Sequence, residues 1–199
     1  MDYASDMGVL IMQHVEDFEL SKNGCVNEGE IATRLGLQSI PSIAEKIIIE
    51  RDLTLLDEYP CRYHINQISS EKSVEVIKKN KKNGKNFSVG VSINHLSLND
   101  NDIGDFKTFL KLSPPLRFED DRKALVAGIK NGLIDVIVSD HTPEDEESKR
   151  LPFAQAATGA IGVETLLPLA LELYHNESLA LNKIVECLTI NPSNILKIN

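Results

Sequence analysis

"FEDDRKALVAGIKNGLIDVIVSDHTP", residues 118–143, changes its periodicity halfway along. The first part has acids at Glu119, Asp120 and Asp121, a lysine at Lys130 and Gly132 just beyond, an order that complements a helix dipole. The second part, residues 134–140, is a short apolar run that stops at an Asp-His pair. The stretch reads as helix, turn and buried strand, with Asp140 and His141 delivered to the strand's tip.

Three more runs have the character of that strand: "VLIMQH" at 9–14, "RYHINQI" at 62–68 and "FSVGVSI" at 87–93. Helical patterns lie between and after them. Residues 41–59 place Pro41 near a helix start, where its missing N–H costs little, and their apolar positions follow a helical period. Residues 70–84 open on Ser70 as an N-cap and close at Gly84. Residues 163–175 and 178–190 give two further helices. Strands alternating with helices of these lengths predict βα units, a parallel sheet and the α/β class. This order leaves open whether the sheet is open or closed into a barrel.

The chain has 199 residues, 42% hydrophobic and 26% charged, which suits one soluble globular domain over 1–199. No apolar run approaches the roughly 18 residues that span a membrane, and the first residues lack the basic flank and apolar core of a secretory signal. The net charge of −9 argues against nucleic acid as a partner, since phosphate binding needs clustered Lys and Arg. The one basic run, 78–85, reads as a solvated helix end. Cys25, Cys61 and Cys187 lie far apart, as expected of reduced thiols in a cytoplasm.

Several strands end in ionisable or polar residues: His14 after the first, His64 and Gln67 on the second, Asp140 and His141 after the fourth. If the sheet is a barrel, its C-terminal face gathers these residues, and His with Asp suits a metal such as zinc. Taken singly, a strand-end His is more often structural. His64 reads as structural, and His95 as either structural or a support for a site residue. His141 orients the strand tip, and His175 closes a helix.

The ordered set "RYHINQISS", "SPPLRFEDDRKALVAGIKNGLID", "SDHTPE" and "PFAQAATGAIGVET" resembles dihydroorotase, a cyclic amidohydrolase, along nearly the whole chain. The resemblance implies a partial (β/α)8 TIM-type barrel, about strands five to eight, with the N-terminal half-barrel and a small β-sandwich domain absent. It implies the interconversion of carbamoyl aspartate and dihydroorotate in pyrimidine biosynthesis, with zinc as the family's metal. His14 matches the fifth-strand ligand. Asp140 matches the eighth-strand ligand and general base. Three positions depart from the pattern. Gln67 stands where a ligand His belongs, Ser113 replaces a substrate-binding Asn, and Glu144 replaces a His that binds the substrate carboxylate. The altered "NHL" at 94–96 has no assigned consequence.

These departures predict a chain that is catalytically incompetent by itself, with zinc weak or absent. It would serve as a structural partner of aspartate carbamoyltransferase, and self-association or another subunit would close the half barrel. The alternative expectation is an active zinc dihydroorotase complemented by a separate or upstream N-terminal half.

Overall fold

In a computed structural model of the chain, the described residues are 1–176 and 179–198. The strands and helices in chain order are α1 Asp2–Met7, β1 Leu10–Gln13, α2 Phe18–Ser21, β2 Val26–Asn27, α3 Glu30–Leu35, β3 Ser39–Ile40, α4 Ile43–Glu58 and β4 Arg62–Ile65. There follow α5 Glu71–Lys82, β5 Ser88–Ser92, α6 Ile93–Ser97, α7 Glu119–Lys130, β6 Val136–Val138 and α8 Glu146–Lys149. The chain finishes with α9 Leu166–His175, α10 Leu181–Leu188 and α11 Ile190–Leu196.

Four strands form one sheet in the order β1-β4-β5-β6, every pair parallel. Leu10 faces Arg62, His64 faces Ser88 and Gly90 faces Val136. A parallel sheet needs a crossover between neighbouring strands, and the helices provide it. Helix α4 shows why: Ala44, Ile48, Ile49, Leu53 and Leu56 recur at helical spacing and bury one face. The main core joins that face to Ile65, Ile77, Val89, Val91 and Ile129. A smaller core around Val26, Ile103, Leu116 and Phe153 sits beside the paired β2 and β3.

The helix at 118–132 has the expected ends: acids in its first turn, Lys130 in its last and Gly132 at φ 70°. Ser70 caps α5 by accepting from the Ser73 amide. Other expectations need correction. The strand expected through residue 93 turns into α6 at Ile93, because the Ser92 hydroxyl caps the Asn94 amide. The helix expected over 163–175 begins at Leu166. The one expected over 178–190 splits into α10 and α11, and its residue 178 lies outside the described residues. Pro192 lies in the first turn of α11, where its missing N–H has no partner to lose. The basic run is only partly solvated, since Lys81 lies 2.9 Å from Asp135 and Lys85 2.8 Å from Asp57.

Candidate functional site at the strand ends

Because the strands run parallel, their C-terminal ends share one rim, and this rim receives His14, Gln67 and Asp140. The amide Nε2 of Gln67 donates to Asp140 Oδ1 at 2.7 Å. Gln67 follows β4 and Asp140 follows β6, so the bond passes over the end of the intervening β5. Asp140 has φ 53°, in the left-handed region where Asp is one of the few tolerated non-glycine residues. A carboxylate only accepts hydrogen bonds, so the Gln67 amide turns its NH2 toward it. The amide's oxygen is left buried with no hydrogen-bond partner among the described residues.

His14 meets a different pair. Its Nε2 is 3.2 Å from Glu16 Oε2 and 3.5 Å from Ser113 Oγ, whose hydroxyl also reaches Glu16 at 3.5 Å. The hydrogen bond to Glu16 holds the imidazole above its ordinary pKa, and the same bond holds the Glu16 carboxyl below its own. Both contacts use one ring nitrogen, so the trio cannot relay a proton from Ser113 through the ring to Glu16. It is a hydrogen-bonded imidazole–carboxylate pair with a hydroxyl beside it. Glu16 was missed in the sequence, although its place two residues past a strand-end His was a usable signal.

His95 is buried, and its Nε2 donates to the carbonyls of Pro114 and Pro115 at 3.1 and 3.2 Å, which steadies the segment carrying Ser113. Desolvation pushes its pKa down. Asn94, in the altered "NHL", is also buried, and its side-chain nitrogen has no hydrogen-bond partner among the described residues. His64 is structural, with Nδ1 2.7 Å from the Ser88 hydroxyl. His141 orients the strand tip: its Nδ1 accepts the Gly162 and Val163 amides, at 3.1 and 3.4 Å. His175 is the last residue of α9.

Beneath the rim lies a buried polar network that the sequence did not announce. The carboxylate of Glu45, on α4, accepts from the amide and hydroxyl of Ser69, the amide and hydroxyl of Ser70 and the hydroxyl of Ser73. It therefore sits at the N-terminus of α5, where free N–H groups and the helix dipole favour an anion. Buried Arg117 donates to the Ser69 hydroxyl, to Asn27 Oδ1 and to the Ile40 carbonyl. Ser69 is two residues beyond Gln67, so the network fixes the turn that presents the Gln67 amide.

Of the sequence-derived site residues, the structure joins Gln67 to Asp140 and His14 to Ser113. Glu144 has no hydrogen bond or ion pair to any of them among the described residues. Its charge is instead felt by Lys149. Among the described residues no group of three His, Cys, Asp or Glu side chains could hold a metal ion. Asp140 accepts the Gln67 amide, and His14 faces Glu16.

The family model described as dihydro-orotase-like matches residues 1–73. The dihydroorotase of Ehrlichia canis (strain Jake) is 42% identical over 199 residues, which is all of this chain and 44% of that protein. That of Anaplasma phagocytophilum (strain HZ) is 40% identical over 198 residues, with 99% and 44% covered. Among solved structures, the L-hydantoinase (dihydropyrimidinase) of Arthrobacter aurescens superposes with a TM-score of 0.82 at 27% identity, over 99% of this chain and 45% of that one. The dihydroorotase of Saccharomyces cerevisiae in complex with 5-fluoroorotic acid gives 0.77 at 17% identity, over 98% and 52%, a likeness of fold. The chain spans a little under half the length of the curated relatives it matches. The parallel sheet and its helices are thus part of a TIM-type barrel, and no helix among the described residues is long and apolar enough to cross a membrane. Over its whole length the chain is similar to dihydroorotases, as a dihydroorotase-like amidohydrolase fragment.

Proposed function

We propose that this chain is a dihydroorotase-like component of pyrimidine biosynthesis that does not by itself interconvert carbamoyl aspartate and dihydroorotate. One observation carries the reading: the 2.7 Å hydrogen bond that gives Asp140 the Gln67 amide as its partner. An amide N–H donor opposes metal coordination at that oxygen, and a Gln oxygen is a poorer zinc donor than an imidazole. Purified chain should contain far less than one zinc per molecule and should not turn over dihydroorotate. Stoichiometric zinc together with turnover would overturn the reading.

Its role on this reading is structural, and its partner is a second copy or another subunit, with aspartate carbamoyltransferase the specific candidate. Support comes from β1 and β6, which each pair on one side only, and from the surface. The accessible area is 10675 Å² for 22.1 kDa. A compact monomer of that mass exposes about 9,300 Å², and the excess of about 1,300 Å² exceeds the roughly 800 Å² that one partner buries in a standard interface. Light scattering tests self-association, and co-purification from the native source tests the transferase. A monomer that separates cleanly from the transferase removes the structural role.

A second reading has its own observation in favour: His14 and Asp140, from the two outermost strands, share one rim, and Asp140's charge acts on His14. On that reading a complementary half barrel restores zinc dihydroorotase activity. Adding the portion of the Ehrlichia canis dihydroorotase that this chain does not cover would then produce zinc-dependent turnover that neither part shows alone.

A further inference from the structure

At the opposite end of the sheet from Asp140, a cavity of about 900 Å³ opens beneath the starts of the strands, bordered by Leu10, Arg62, Ser88 and Asp135. That volume falls at the upper end of the range for small-molecule sites, about 300–1,000 Å³.

The charges on its wall do not cancel. Asp57 is matched by Lys85 at 2.8 Å and Asp135 by Lys81 at 2.9 Å. Arg62 and Lys197, also on the wall, have no carboxylate within ion-pair distance among the described residues. An acidic chain of net charge −9 thus lines this cavity with two unmatched cations. A cleft of one sign concentrates counter-ions of the other.

Arg62 is held in place without being used up. Its guanidinium donates to the carbonyls of Gly8 and Ile195, and three of its five N–H groups have no acceptor among the described residues. The side chains of Asn83, Asn86 and Asn194, further along the wall, make no hydrogen bond among the described residues. They add donors suited to oxyanion or hydroxyl oxygens. Leu10, Leu56 and Phe87 supply an apolar stretch of the same wall.

We propose that this cavity binds a phosphorylated small molecule, with Arg62 and Lys197 holding the phosphate and the apolar stretch holding the organic body. A guanidinium fork matches two phosphate oxygens at once, which is why arginine favours such ligands. The cavity shares no side chain with the Gln67–Asp140 rim, so zinc content and turnover leave the proposal untouched.

Calorimetric titration of the whole chain with inorganic phosphate, uridine monophosphate and adenosine monophosphate tests it. Saturable binding is expected, weakened by added salt, with Arg62→Gln and Lys197→Gln each lowering affinity about tenfold or more, a change of about 1.4 kcal/mol. Nucleotides binding more tightly than phosphate identifies an organic phosphate. Equal affinities with the same loss in both variants identify free phosphate as the ligand. Lys197 is exposed at the end of α11, so its variant keeps the test decisive even if Arg62→Gln fails to fold. Absence of saturable binding by all three probes, or affinities unchanged in Lys197→Gln and in any folded Arg62 variant, overturns the proposal.

Discussion

The side chain of Gln67 spans from the end of β4 to Asp140 at the end of β6, and the two meet at 2.7 Å above the strand between them. A hydrogen bond to a charged group contributes roughly 1.5–3 kcal/mol. Gln67→Leu should therefore lower stability by about that amount in urea titrations. Gln67→His should do something different: it returns an imidazole to the rim and raises zinc affinity by about 10-fold or more over the unmodified chain. Equilibrium dialysis reads that directly, and equal zinc binding in the two proteins would show that the amide is not what keeps the metal out.

Glu45 organises the network under the rim. Removing it as Glu45→Ala leaves the Ser69, Ser70 and Ser73 hydroxyl donors without this acceptor and takes away a negative charge that acts on the buried Arg117 guanidinium. Breaking a buried charge cluster from one side costs about 3–5 kcal/mol. The loss in chemical denaturation should fall in that range, whereas Thr54→Ala on the exposed face of the same helix should change stability by about 0.5 kcal/mol or less.

Stability should fall as the solution is acidified from neutrality. Burial holds His95 below its ordinary pKa. Asp140, Glu45 and the Pro115 carbonyl pull it up, and Arg117 pushes it further down. His64 is shifted in the same direction by burial. Below the ordinary histidine value of about 6.5 the unfolded chain takes up protons that the folded chain refuses. Unfolding is then favoured, by at most about 1.4 kcal/mol per pH unit for each group, until the folded pKa is reached. His95→Gln should flatten this slope in urea titrations run at a series of pH values. A slope identical to that of the unmodified chain would assign the effect elsewhere.

The tip carrying Asp140 is held by a close backbone approach at Gly162. A Cβ added there would lie 2.0 Å from the Ser139 carbonyl oxygen, so one of the two segments must move. Gly162→Ala should release His141 from the Gly162 and Val163 amides. In the unmodified chain, Nδ1 of His141 is an acceptor, which leaves the proton of the neutral ring on Nε2. Nitrogen-15 NMR of the imidazoles should show that single tautomer, and a mixture of the two in Gly162→Ala.

Much of the architecture was legible from periodicity. The apolar runs at 9–14 and 62–68, with helical patterns after them, predicted β1, a β4 that ends earlier, at Ile65, and a parallel sheet, because in the inner strand β4 burial on both faces writes itself into consecutive residues. The end of the strand at 87–93 was misplaced by a single cap, the Ser92 hydroxyl, whose effect depends on its own backbone geometry.

The rim was legible in composition and hidden in its pairing. His14, Gln67 and Asp140 could be placed at strand ends from the sequence alone, since parallel strands share a direction. That Asp140 meets Gln67, that His14 meets Glu16 and Ser113, and that Glu45 joins Ser69 to the network with Arg117 depend on residues up to 99 positions apart. The cavity under the strands gathers Arg62 and Lys197 from positions far removed from each other along the chain. Local sequence determines which segments become strands and helices, because a backbone's preferences and one buried face involve near neighbours. Only the tertiary structure decides which side chains meet, because a hydrogen bond of 2.7 Å requires the register and curvature of the whole sheet to bring its two ends together.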